Sequence, residues 1–147
     1  MNAVKRAAIV PIGSPDERAI AAIRRADHLL VERRTAVHVA RDQRAAAEIR
    51  RWWSHLAASD WDLHVTVGAS VPSTVIAEVR TAISAGYEEV VVVVGFMAHG
   101  SVTRRLAHDH TAETICTAVS HLPGAAAVLV PVSDVGRRAR CAERTTR

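Results

Sequence analysis

The chain of 147 residues carries eight histidines, and one of them stands where an α/β protein does its chemistry. His99 lies in Gly95-Phe96-Met97-Ala98-His99-Gly100-Ser101, directly after the valine run Val90–Val94. An imidazole there can ligate a metal or move a proton near neutral pH, or simply bond to loop backbone. Gly100 lets the chain approach a ligand closely. Ser101 either orients a substrate or caps the next helix. A second cluster, Pro11-Ile12-Gly13-Ser14-Pro15-Asp16, offers free backbone N–H groups, a hydroxyl and a carboxylate. It reads as an anion site at a helix start, or as a tight turn with Asp16 as its cap. No G-x-G-x-x-G or Walker A pattern is present, so a nucleotide site has no motif support.

The remaining candidates are weaker. His108 and His110 flank Asp109, but helical residues two apart point away from each other, so a solvated helix face is the simpler reading. His64 reads as a strand-surface residue. His28, His38, His55 and His121 have no partner at ligand spacing. Cys116 and Cys141 form neither a C-x-x-C pair nor a disulfide framework, which leaves structural zinc unsupported. Trp52 and Trp53 are adjacent, so a helix cannot bury both equally; one belongs at the core edge, a pocket wall or a subunit interface.

The elements that position these residues follow from hydrophobic periodicity. Ala7–Ile12 is a buried strand opening into Gly13–Asp16. Asp16–Glu32 is predicted helical, with Ile20, Ile23 and Leu30 on one face. Thr35–Ala40 is open between a strand and a helical lead into Asp42–Leu56, an amphipathic helix. Trp61–Val67 alternates as a strand, with Leu63, Val65 and Val67 on one side. Pro72–Ala85 is a helix burying Val75, Ile76, Val79 and Ile83, ended by Gly86. Glu89–Val94 is a central parallel strand, apolar on both faces. Gly95–Gly100 is a loop, Ser101–Leu122 is helical, either continuous or broken near Asp109, and Ala125–Val130 is the last strand.

Strand and helix thus alternate. The prediction is an α/β domain with a doubly wound, mostly parallel sheet of four to five strands and helices on both faces. Ligands of such sheets bind outside the carboxyl ends of the strands. The exits to inspect are Ile12–Asp16, Gly68–Ser73 and Gly95–Arg105. They nominate Ile12, Ser14, Gly68, Phe96, Met97 and Arg104 as pocket residues, with His99, Ser101 and Asp16 as the chemical groups.

Charge removes one class of function. The net charge of +4 is carried by the tail, where Arg137, Arg138, Arg140, Arg144 and Arg147 face a single acid, Glu143. The body is neutral and shows no basic stripe for nucleic acid. Residues 1–136 are expected to form one domain and 137–147 a basic tail. The longest apolar run, Val90–Ala98, is too short to span a bilayer, and Met1–Arg6 lacks a signal-peptide core. A cytoplasmic protein without membrane or nucleic-acid partners is expected.

The pattern also resembles a known family. Gly13-Ser14-Pro15-Asp16 after the first strand, Ser70-Val71-Pro72-Ser73 before a helix, and Phe96–Arg105 after the valine strand are similar to features of the CbiX-like sirohydrochlorin and cobalt chelatases, of the class II chelatase superfamily. The resemblance implies a homodimeric α/β domain with a tetrapyrrole cleft, and a divalent metal (cobalt, nickel or iron) as substrate. The family's ligand positions are altered: Ile12 stands for its first histidine, Gly68 for its strand-end acid and Ser101 for its loop histidine, with His99 two residues earlier. Three functions follow as expectations. One is metal insertion or tetrapyrrole handling with a ligand set centred on His99. Another is a metal-independent biosynthetic enzyme using His99 as acid/base, oriented by Ser14, Asp16 or Ser101. The last is a non-catalytic binding or partner subunit.

Overall fold

The computed structural model describes residues 3–56, 60–98 and 110–133. Among the described residues nine elements alternate: β1 (Arg6–Ile12), α1 (Glu17–Asp27), β2 (Arg33–Ala40), α2 (Gln43–Ser54), β3 (Trp61–Val67), α3 (Val71–Ser84), β4 (Glu89–Ala98), α4 (His110–Ser120) and β5 (Ala125–Ser133). The strands form one five-stranded sheet in the order β3-β2-β1-β4-β5. All four ladders are parallel, so the doubly wound α/β class is established.

The sheet carries a hydrophobic layer on each face. Ala8, Val10, Ile12, Ala36 and Val93 pack with Ala19, Ala22, Ile23 and Ala26 of α1 and Ile49 of α2. On the other face Ala7, Ile9, Val37, Val90, Val92 and Val94 pack with Val75 and Val79 of α3 and Ile115 and Val119 of α4. This is why the valine run has no polar residue: successive side chains enter opposite cores.

Several expectations change. Thr35–Ala40 is strand, and Thr35 through His38 are all buried, which erased the period-two signal. β4 does not stop at Val94. It runs on to Ala98, with Phe96 opposite Pro131 and Met97 opposite Val132 in β5. Gly95 is therefore in a strand, not a loop. α1 ends at Asp27, so Leu30 lies beyond it and is 88% exposed instead of buried. In α3 the inward face is Val75, Val79 and Ala82, while Ile83 points outward. Val67, at the end of edge strand β3, is exposed although its alternation placed it inside.

Gly95 has a packing reason. A Cβ built on it would meet the carbonyl oxygen of Arg18 at 2.1 Å and its carbonyl carbon at 2.7 Å. The first turn of α1 therefore lies directly on β4, and no side chain fits between them. Both atoms are backbone, so neither can swing aside. Gly95→Ala is expected to destabilise the domain by about 1–3 kcal/mol, the usual cost of overpacking, in chemical denaturation with an unchanged m-value.

Candidate functional site

The chain winds outward from β1 through β2 to β3, then returns to lay β4 on the other side of β1. β1 and β4 are thus neighbours whose following chains leave toward different parts of the molecule. This is the switch point at which open α/β sheets bind ligands. The two strands part at their carboxyl ends. Paired residues run from Arg6–Glu89 to Ile9–Val92, whereas β1 stays paired to β2 as far as Ile12–His38.

Pro11 supplies the cause. The Lys5 carbonyl accepts from the N–H groups of Glu88 and Glu89, on the β4 side. Strand alternation turns Pro11 to that same side, and proline has no N–H to give. The ladder ends before it and a crevice opens. A cavity of about 210 Å³ occupies that crevice, lined by Pro11, Gly13, Ser14, Asp16, Val94 and Gly95 among others, with Thr111, Ala112 and Ile115 of α4 closing one side.

A second cavity, of about 340 Å³, lies across the same loop between β2 and α2. Gly13 and Ser14 line both cavities. The second is completed by Pro15, His38, Arg41 and Glu48 with apolar neighbours. His38 is 7% exposed, and its Nδ1 lies 2.7 Å from the carbonyl oxygen of Ile12.

Asp16 takes the capping role. Its carboxylate accepts from the Arg18 N–H at 2.9 Å and pairs with the Arg18 guanidinium at 2.7 Å. Partial burial pushes the carboxyl up. The Arg18 hydrogen bond and charge, with the N–H groups of Arg18 and Ala19, outweigh it and hold the group below its ordinary value. A carboxylate thus already fills the helix N-terminus, which removes the anion reading of this loop.

Ser14 lines both cavities and Asp16 the first. The Ile12 side chain lies in the α1-side core at 3% exposure, and its carbonyl oxygen meets His38 Nδ1. Gly68 closes β3 at the far edge of the sheet, with φ 73°, and lines neither cavity. Phe96 packs against the opposite core, and Met97 also lines neither cavity. His99, Ser101 and Arg104, the His108 cluster and the tail 137–147 lie outside the described residues. Among the described residues no group of three or more His, Cys, Asp or Glu is placed to hold a metal. His64 bonds to Glu78 at 2.7 Å, and neither residue lines the two cavities. Trp53 contacts Trp61 edge to face and lines neither cavity; Trp52 is half-buried against the core.

The residues missed were His38, Pro11, Gly95 and Arg18. His38 has no partner at metal-ligand spacing. Its readable signal is position, one strand exit away from Gly13-Ser14, and it shows only once Thr35–Ala40 is known to be strand.

The Asp16 carboxylate stabilises the fold only while ionised. Its folded pKa is depressed, so this contribution is full above the unfolded value of about 3.9 and is lost as pH falls through the lower folded value. Asparagine caps as well as aspartate, so Asp16→Asn isolates the charge while Asp16→Ala loses the cap too, about 1 kcal/mol. Denaturation between pH 2 and 7 is expected to show the wild-type advantage over Asp16→Asn shrinking at the acid end.

Comparison with known proteins then decides the family. No curated protein and no solved structure matches the chain. Among the described residues, no helix is long and apolar enough to cross a membrane. The chelatase resemblance is overturned: the family model that matches is a different one, and with it fall the tetrapyrrole and lyase expectations, metal insertion and the repurposed biosynthetic enzyme. The strand-loop-helix units that carried the resemblance belong to parallel α/β sheets at large. Residues 4–132 match the model of the KimA potassium transporter C-terminal domain, and the chain belongs to that family.

Proposed function

We propose that this chain is a ligand-binding regulatory domain serving a potassium transporter, and that a small polar molecule sits across Gly13-Ser14 at the carboxyl edge of the sheet. The observation that carries this reading is the pair of cavities sharing that loop at the switch point. The family match supplies the transporter context. The chemistry present favours recognition over catalysis. The Asp16 and Arg18 charges neutralise one another, Ser14 offers a hydroxyl, and the walls are otherwise glycine, proline and aliphatic. A cytoplasmic setting and a small-molecule partner belong to the same reading.

Ligand occupancy would reach the transporter through α1 and α2. Both begin beside the Gly13-Ser14 loop or the His38 cavity, and both pack on one face of the sheet. A molecule wedged against their first turns has differential contact with any state in which those turns move, which is the requirement for control by a ligand.

The test is a thermal-shift and calorimetric panel of adenosine, guanosine, cytidine, uridine and ribose, uncharged molecules that present hydroxyl and N–H groups to a switch-point crevice. A binder present at about 100 times its Kd raises stability by about 2.7 kcal/mol. Ser14 is exposed, so Ser14→Trp is expected to block the shared loop and abolish the shift while leaving the unliganded melting temperature within about a degree or two. A shift that survives Ser14→Trp would place the ligand elsewhere.

A further inference from the structure

His38 is buried, titratable and held in one orientation, and the fold does not use its second nitrogen. The Ile12 carbonyl can only accept, so the 2.7 Å contact puts the ring proton on Nδ1. In the neutral ring Nε2 is then a bare acceptor. Among the described residues it has no partner. Among the described residues no buried side-chain polar atom is left unsatisfied, so Nε2 reaches open space, and the open space that His38 lines is the cavity beside α2.

We infer that His38 is the specificity-determining residue of this cavity: it requires an N–H or O–H donor on the ligand and excludes carboxylate or phosphate oxygens at that point while the ring is neutral. The inference rests on the ligand-domain reading above.

The surroundings leave that lone pair to the ligand. The charged groups lining the cavity are Arg41 and Glu48. Arg41 leans toward Asp42 at 3.7 Å, and Glu48 pairs with Arg44 at 3.4 Å. Gly13, Ser14 and Pro15 on the β1 side carry no titratable group, and Val39, Ala45 and Ile49 are apolar.

Two substitutions separate its roles. His38→Asn keeps a donor near the Nδ1 position for the Ile12 carbonyl and leaves no acceptor where Nε2 stood. His38→Gln can place an amide oxygen near Nε2. The probes are adenosine and ribose, measured calorimetrically at pH 8, and wild type is expected to bind. His38→Asn should bind about tenfold more weakly, the loss of about one hydrogen bond. His38→Gln should retain measurable binding. Imidazole nitrogen NMR should show the proton on Nδ1. Equal affinity of wild type and His38→Asn, or a proton on Nε2, overturns the role of His38 and leaves the ligand domain standing. Failure of both probes to bind wild type at pH 8 overturns both readings together.

Discussion

The close approach of α1 to β4 sets the geometry on which both cavities depend. Helices normally rest on a sheet through their side chains. Here the Arg18 backbone fills the space in which a Gly95 side chain would stand. That contact fixes where α1 begins, and so where Asp16 caps it and where the Gly13-Ser14 loop must turn. The other half of the constraint is Pro11, whose missing N–H ends the β1–β4 ladder at Ile9, before the β1–β2 ladder ends at Ile12. One residue removes a side chain and the other removes a donor. Between them the sheet stays continuous at its amino end and opens at its carboxyl end.

Much of the fold was legible because its elements are strongly patterned. The valine run, the Trp61–Val67 alternation and the amphipathic second helix could be placed from the sequence alone. The failures have a common physical origin. Period-two alternation shows only where one face of a strand is wet, and residues 35–38 are buried on both faces. Gly95 reads as a breaker, yet here glycine marks close packing inside a strand, one of its recognised uses. Leu30 and Ile83 were placed inside by spacing, but one lies past a helix end and the other on the margin of the apolar stripe.

The site was half legible for a related reason. Ser14 and Asp16 stand at a strand exit that the apolar run Ala7–Ile12 announces. The same search nominated Ile12 by supposing that its side chain points into a cleft. Alternation sends that side chain into the core, and the residue contributes through its carbonyl, which no side-chain motif can reveal. The departures at Ile12 and Gly68 from the chelatase ligand pattern were therefore informative: neither position presents a side chain to a cavity. The similarity lay in the alternation of strand and helix, which reports architecture, while the altered residues reported function.

The electrostatics of the two cavities point the same way. A helix N-terminus beside a glycine is commonly an anion site, because unpaired N–H groups and the helix dipole face outward. In this chain Asp16 has already supplied the anion, and Arg18 has neutralised it. Charge is thereby spent locally, and the carboxyl edge offers a hydroxyl and an imidazole acceptor more readily than a strong field. A pocket of that kind selects by the direction of its hydrogen bonds. Direction is fixed by whatever holds the polar groups still, and for His38 that is the Ile12 carbonyl, itself held by a strand in the middle of the sheet. The selectivity of the cavity is in this sense a property of the sheet register: sliding β2 against β1 by one residue would turn the imidazole to the other face and leave the loop with no partner across it.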